Sequence, residues 1–294
     1  MWQKMKNLSK KNAKITQSKM KTHIPLCTIP SETLSFTYDG TFEGLLTCVF
    51  DAFERKQFPQ QIFKQEVSAL FTENYHVETD EQKANRVVAG LRKKISESAM
   101  QMLFTCWMSE LDGIEMLEFN YICKAFRSQK TIELNFADPD VLELSKIFRK
   151  VQREAERMRQ FVRFQKTADG FYFAAIKPLY DVLPMVSEHF EDRFADQQWI
   201  IYDIKRKYAL YYDLHKTEVV HFEDLQIDTQ TGKLHHDVLA EGELFFQSGW
   251  RQYLRSISIK ERKNLRLQRQ FMPKRFWNYL TEKQATSHST PTTS

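Results

Sequence analysis

The chain has 294 residues, of which 42% are hydrophobic and 28% are charged, with only 8 glycines and 8 prolines. This globular composition excludes a wholly disordered chain, and the length suffices for one large domain or two ordinary ones. The four cysteines are too widely spaced for a zinc ribbon or an iron–sulfur loop, and they suit a reducing compartment. Because no stretch approaches the roughly 18 apolar residues of a membrane span or the apolar run of a secretory signal, we expect a cytoplasmic protein.

Charge is distributed unevenly along the chain, although the formal net charge is only +5. Residues 1–22 carry seven lysines and no acid, and residues 250–283 carry ten lysines and arginines against Glu261 and Glu282. The remaining residues are net acidic. Basic ends around an acidic middle are typical of a protein that contacts phosphate, and a solvated basic face is the alternative.

The first half of the chain is predicted to be mostly helical. Residues 1–33 lack periodicity, and Leu34–Tyr38 predicts a short strand that ends at the turn-forming dipeptide Asp39-Gly40. A second short strand is predicted at 75–78, and Asp80 is the expected N-cap of the helix that follows. Apolar residues recur at helical spacing in four stretches, at about 42–56, 80–95, 100–111 and 116–127.

The second half begins with a long helix and then becomes extended. Asp138-Pro139 predicts the start of that helix, whose apolar stripe reaches Phe161. A short helix is predicted at 186–194, and helical spacing returns over 239–257. Strands are predicted at 171–176, 199–203, 208–213 and 218–222. The sequence therefore predicts an α+β fold, mostly helical, with a small antiparallel sheet centred on residues 171–222.

These patterns predict four parts in the chain. They are a basic flexible tail at 1–33, a mostly helical part at 34–135, an α+β part with a basic C-terminal segment at 136–283, and a disordered tail at 284–294.

The basic C-terminal segment alternates basic side chains with aromatic ones. Guanidinium groups can fork onto phosphate, and tryptophan and tyrosine rings can stack on exposed bases. The predicted nucleic-acid-binding residues are Trp250, Arg251, Tyr253, Arg255, Arg262, Lys263, Arg266, Arg269, Lys274, Arg275 and Trp277. The alternative is a C-terminal helix whose aromatic residues belong to the core and whose charges face water.

A second group of residues has the chemistry of an acid–base site. His189 and Arg193 lie on the predicted short helix, and Asp203 and Asp213 end the two strands of the predicted hairpin. A histidine beside carboxylates can transfer protons near neutral pH, and Arg193 could orient a phosphate. The spacing matches no specific catalytic signature, and a packing histidine with turn-closing aspartates is the alternative.

Other histidines do not define a metal site. The tetrapeptide His-Phe-Glu-Asp occurs at 189–192 and again at 221–224, and His235-His236-Asp237 follows. Nothing in these spacings fixes a coordination geometry, so neither a metal nor a cofactor is predicted. The chain also has no GxGxxG, GxxxxGK[ST], HExxH or GxSxG motif, which disfavours nucleotide hydrolysis and serine-esterase chemistry.

The chain contains several distinctive strings, which are 38–46 (YDGTFEGLL), His189-Phe190, 193–197 (RFADQ), 199–203 (WIIYD), 208–213 (YALYYD), 262–264 (RKN), 267–270 (LQRQ) and 272–275 (MPKR). With these strings the chain resembles a family of uncharacterised bacterial proteins described as DNA metabolism or repair proteins. The resemblance extends from about residue 34 to residue 282. It implies a link to DNA damage or modification and a partner of the radical-SAM DNA repair class, and it assigns no catalytic residues.

These observations lead to three hypotheses. The first is a nucleic-acid-binding accessory protein, acting on DNA rather than RNA, that presents a damaged or single-stranded site to a radical-SAM partner. The second is an enzyme that acts on a nucleic acid base or backbone through His189 with Asp203 or Asp213. The third is a protein interaction module for the repair partner. The sequence leaves open whether the protein is an enzyme at all.

Overall fold

The computed structural model describes residues 34–64, 74–222, 227–262 and 264–284. These residues divide into two compact units. The first contains residues up to Glu154 together with Leu179–Pro184, and the second contains Ala155–Pro178 and the residues from Met185 onward. The boundary between the two units at Glu154 falls inside a long helix, whereas the sequence predicts a boundary before that helix, at residue 135. The predicted tails, at 1–33 and 284–294, lie outside the described residues except for Gln284.

The described part of the first unit contains five helices. They are α1 (Phe42–Arg55), α2 (Glu81–Leu91), α3 (Glu97–Trp107), α4 (Ile114–Arg127) and the first part of α5 (Pro139–Phe161). Thr41, Asp80 and Ser96 accept hydrogen bonds from the first-turn amides of α1, α2 and α3. Each satisfies an amide that the helix itself cannot. The predicted N-cap at Asp80 is thereby confirmed.

The first unit also contains a three-stranded parallel sheet. Its strands are β1 (Ser35–Thr37), β2 (Gln61–Phe63) and β3 (Asn74–His76), in the order β2-β1-β3. Strand β1 is buried along its whole length, as the centre of a parallel sheet requires. The carboxyl ends of the strands lead into Tyr38, Lys64 and Val77, so these three positions share one edge of the sheet.

The second unit is built on a five-stranded mixed sheet. Its strands, in spatial order, are β4 (Gln165–Lys166), β5 (Tyr172–Ile176), β6 (Trp199–Asp203), β7 (Tyr208–Tyr212) and β8 (Thr217–Val220). Strands β5 and β6 are parallel, and the other neighbouring pairs are antiparallel. The chain between β5 and β6 contains α6 (Leu183–Arg193), which is the crossover that a parallel pair needs.

Aromatic and aliphatic side chains fill both faces of this sheet. On one face Phe173, Tyr202 and Leu234 belong to a buried cluster. On the other, Trp199 stacks on Tyr212 at 5.4 Å between ring centroids, and Phe190 of α6 meets Trp199 edge-on. Successive side chains of a strand point to opposite faces of the sheet, so β6 and β7 contribute to the packing on both faces.

The α+β fold and the hairpin formed by β6 and β7 are confirmed, and two details of the prediction are corrected. The sheet centred on residues 171–222 is mixed rather than antiparallel, because the helical connection brings β6 back parallel to β5. A second, parallel sheet lies in the first unit. Within the described residues no helix is long and apolar enough to cross a membrane, and Cys48, Cys106 and Cys123 are buried free thiols.

Candidate nucleic-acid interface

The basic C-terminal segment forms a series of short elements in the second unit. Helix α7 (Glu243–Ile257) starts after Gly242, whose φ of 84° is a backbone conformation that favours glycine. After a 3-10 turn at Lys260–Arg262, Asn264 caps α8 (Leu265–Phe271) by accepting a hydrogen bond from the Leu267 amide at 3.0 Å. Another 3-10 helix (Lys274–Tyr279) follows Pro273.

Most predicted phosphate-binding side chains in this segment are exposed. Arg255, Arg262, Arg266, Arg269 and Lys274 face solvent, and Arg251 is half-buried. Within the described part of the chain, none of these six side chains forms a salt bridge or a side-chain hydrogen bond. Because these cations have no acidic partner among the described residues, they are free to neutralise an external anion.

Trp250 and Tyr253 form an exposed stacked pair on α7. Their ring centroids are 5.8 Å apart with 28° between the ring planes, and the residues are 40% and 55% exposed. The Trp250 indole Nε1 donates to the Glu282 carboxylate at 3.3 Å, and Arg163 donates to the same carboxylate at 2.9 Å. Burial alone would raise the pKa of Glu282, but these hydrogen bonds hold it below its ordinary value. Glu282 therefore stays ionised and fixes the indole.

Two of the predicted contact residues belong to the packed body of the unit instead. The Trp277 indole Nε1 donates to the Met272 carbonyl at 2.9 Å, and the Arg275 guanidinium lies 3.9 Å from the ring centroid of Phe276. Phe276 is buried against Phe161 of α5. Trp277 and Arg275 thus hold the segment in place rather than present it. Lys263 lies outside the described residues.

The structure adds aromatic residues that the sequence reasoning did not include. Phe245 and Phe246 are 77% and 72% exposed at the start of α7, and Phe271 is exposed at the end of α8. Helix α7 has a clear apolar stripe yet buries none of its residues. The signal was available in the helical spacing of Phe246 with Trp250, but that spacing by itself is equally typical of a helix packed on a core.

The predicted acid–base residues do not converge. His189 lies half-buried on α6, where burial lowers its pKa and the charges of Arg159 and Arg193 lower it further. The carboxylates that act most strongly on its pKa are Glu156 and Asp192. Burial and the two arginines outweigh these carboxylates, so the pKa of His189 lies below its ordinary value and the neutral imidazole is favoured at physiological pH.

Asp203 and Asp213 lie at opposite ends of the β6–β7 hairpin. The register pairs Asp203 with Tyr208 at one end, and Asp213 follows Tyr212 at the other, about 14–17 Å away. The buried Asp203 carboxylate accepts from Arg206 at 2.8 Å and from the Lys205 amide at 2.8 Å. The exposed Asp213 accepts from the amides that follow it in its turn. Both aspartates close turns, so the structure does not assemble an acid–base site from these residues.

The histidine clusters likewise provide no ligand set. Among the residues that the structure describes, no group of three or more His, Cys, Asp or Glu side chains could hold a metal ion. His235 instead approaches Asp237 at 3.1 Å on an exposed turn. Part of the second His-Phe-Glu-Asp string, at 223–224, lies outside the described residues.

A buried acidic pair in the first unit was also missed. Glu118 is fully buried on α4, and neither of its carboxyl oxygens has a hydrogen-bond partner among the described residues. Burial raises the pKa of Glu118 well above its ordinary value, and the charge of Glu115 adds to the rise while Lys64 opposes it. Lys64 pairs with Glu115 at 2.8 Å. The sequence signal was the position of Glu118 between Ile114 and Ile122 on the apolar stripe of the helix.

Comparison with known proteins identifies the family without an activity. No curated protein matches the chain, and no solved structure does. A family model described as a domain of unknown function, DUF4130, matches residues 112–282, from the start of α4 to Glu282. This match includes the hairpin, α7, α8 and the uncompensated cations, and it covers more than half of the chain. The chain therefore belongs to the DUF4130 family.

Proposed function

We propose that the protein binds nucleic acid through a surface formed by α7, α8 and the described turns between them, which we call the C-terminal surface (residues 243–262 and 264–274). The observation that carries the proposal is the set of exposed cations at Arg255, Arg262, Arg266 and Arg269 that have no acidic partner among the described residues. A phosphate backbone supplies the counter-charges that this surface lacks.

Aromatic side chains in the same segment strengthen this interpretation. Trp250 and Tyr253 are exposed and already stacked on each other, and Phe246 precedes them by one helical turn. Solvated lysines and arginines on an ordinary surface do not need exposed aromatic neighbours. Cations beside accessible rings are the combination found in proteins that bind nucleic acid strands.

An accessory role in DNA repair fits this surface. The family strings at 262–264 and 267–270 lie within it, and the proteins they resemble are described as DNA metabolism or repair proteins. His189, Asp203 and Asp213 form no convergent acid–base site. Binding DNA for a partner enzyme of the radical-SAM class therefore explains the described residues better than catalysis by those three side chains.

The test is the salt dependence of binding, measured by fluorescence anisotropy on labelled duplex DNA. Each phosphate contact contributes a log–log slope of about −0.9 for duplex DNA, so Arg266→Ala with Arg269→Ala should flatten the slope by about 1.8. The matched control is Arg149→Ala with Arg153→Ala, which removes two exposed arginines from α5 and should leave the slope unchanged. Absence of binding by the unaltered protein at low salt would contradict the proposal.

A protein-docking function is the second candidate, and one observation favours it. Ile257, Ile259, Leu265 and Leu267 are all about half exposed in the same segment, and aliphatic side chains cannot stack on bases as rings do. An apolar interface is less sensitive to salt than phosphate contacts. A partner protein that co-purifies after nuclease treatment and at high salt would favour docking over nucleic-acid binding.

A further inference from the structure

Helix α7 carries an aromatic stripe that is exposed to solvent. Phe246, Trp250 and Tyr253 follow one another at four- and three-residue steps, which places them on one face of the helix. They are 72%, 40% and 55% exposed. The half-buried positions of α7 form a neighbouring face, and they are Glu243, Gln247, Arg251 and Leu254. The stripe is therefore free to contact a ligand while the helix remains attached through its other face.

The middle ring of the stripe is fixed before any ligand binds. Trp250 donates its indole Nε1 to Glu282, and Arg163 holds Glu282 from the other side. Tyr253 stacks on Trp250, and Phe246 lies one turn before it. A ring that is already oriented loses less conformational freedom when a base stacks on it, so this arrangement favours binding through ring faces.

The cations of α7 lie on a different side of the helix from the rings. Arg255 is five residues after Trp250, which places it about 140° further around the helix axis. The segment therefore presents its ring faces in one direction and its phosphate-binding cations in another. A duplex presents only its phosphates to such a surface, because its base faces are stacked within the helix. A single strand can present both its phosphates and its bases.

We propose that the stripe of Phe246, Trp250 and Tyr253 makes the C-terminal surface selective for single-stranded nucleic acid, whose unpaired bases stack on these rings. This inference rests on the proposed function, since it assumes that the cations bind phosphate. It adds the class of ligand, and it assigns roles to Phe246 and Glu282, which composition and charge do not indicate. Glu282 is a positioning residue, because it acts through Trp250.

The experiment compares an oligothymidylate with a duplex of the same length, using the full chain and fluorescence anisotropy. The unaltered protein should bind the single strand more tightly. Phe246→Ala with Tyr253→Ala should weaken single-strand binding by about tenfold for each ring lost and leave duplex binding unchanged. Phe136→Ala is the matched control, because it removes an exposed ring that lies outside the C-terminal surface and should change neither affinity.

The possible outcomes separate this inference from the proposed function. Equal affinity for both ligands would overturn single-strand selection while leaving phosphate binding intact. An unchanged single-strand affinity in the double variant would do the same, and the stripe would then be a candidate contact surface for a protein partner. Loss of all binding in the unaltered protein would overturn both. Tyr253→Phe retains the ring and should retain affinity, whereas a loss equal to that of Tyr253→Ala would contradict stacking.

Discussion

Replacement of Glu118 by glutamine should change how the stability of the first unit depends on pH. Glu118 is fully buried on α4, and its carboxyl oxygens have no hydrogen-bond partner among the described residues. Burial raises its pKa well above the ordinary value, with a further contribution from Glu115 and an opposing one from Lys64. The folded protein therefore keeps this carboxyl protonated at pH values at which the unfolded chain has released the proton.

The sign and the size of the effect follow from proton linkage. Because the pKa of Glu118 is raised by folding, its contribution to stability is fully present below its pKa in the unfolded chain. That contribution is lost as the pH rises toward the pKa of Glu118 in the folded protein. Between those two pKa values the folded protein holds one more proton than the unfolded chain. The free energy of unfolding therefore falls by about 1.4 kcal/mol for each unit by which the pH rises. Glutamine has the same size and no charge at any pH, so Glu118→Gln should remove this contribution to the slope.

The assay is urea unfolding from about pH 5 to about pH 8, followed by hydrogen exchange in peptides that cover α4. The unaltered protein should lose stability across this range, and the variant should lose less. Glu78→Gln, at an exposed position of the same unit, is the control and should keep the original slope. An identical slope in the unaltered protein and in Glu118→Gln would show that Glu118 is ionised when folded, which would refute the reasoning.

Two further predictions concern packing and turns. Gly44→Ala should destabilise the protein by about 1–3 kcal/mol, because a Cβ would lie 2.7 Å from Thr79 Oγ1 and even closer to the Asp39 carboxylate. Gly249→Ala, in the exposed helix α7, should stabilise the protein by about 0.5–1 kcal/mol, because a Cβ at this position would have no atom within 4 Å. Thermal melts that show equal changes for the two glycine variants would contradict this contrast. Asp203→Ala should cost about 3–5 kcal/mol in urea unfolding, because it removes the buried carboxylate that pairs with the buried guanidinium of Arg206. Asp213→Ala should leave the stability close to that of the unaltered protein, and similar losses for both aspartates would show that burial does not distinguish them.

The helices could be predicted largely from the sequence, because their signals are local. The helix predicted at 42–56 is observed at Phe42–Arg55, and the predicted cap at Asp80 accepts two amide hydrogen bonds. Asp138-Pro139 correctly marked the start of α5. In each case the cap, the apolar spacing and the stop signal lie within a few residues of one another, so no distant contact is needed to decide the structure.

The sheets could be predicted only in part, because strand partners are chosen over long distances. Strands β1, β2 and β3 have three residues each, which is too short for an alternating pattern to appear. Ser35 pairs with Gln61 on one side and with Asn74 on the other, and no local signal specifies either partner. The β6–β7 hairpin was predicted correctly because its two strands are adjacent in the chain.

The candidate site shows the same division between local and distant information. The excess of cations in the C-terminal segment can be counted from the sequence, but the role of each aromatic residue cannot. Phe276 and Trp277 are held by Phe161 and the Met272 carbonyl, whereas Trp250 remains exposed. All three have cationic neighbours in the sequence. Only tertiary contacts separate the rings that build the core from those that are available to a ligand.

The exposed stripe and the uncompensated cations also explain each other. Phe246, Trp250 and Tyr253 would ordinarily favour self-association, since exposed apolar patches tend to find partners. The nearby arginines give every copy of this surface the same positive charge, and like charges keep two such surfaces apart. On the proposed function, a single strand that reaches both sides of α7 would neutralise the arginines and cover the rings together. The exposed rings and the unpaired arginines are then explained by one ligand that carries both phosphates and bases.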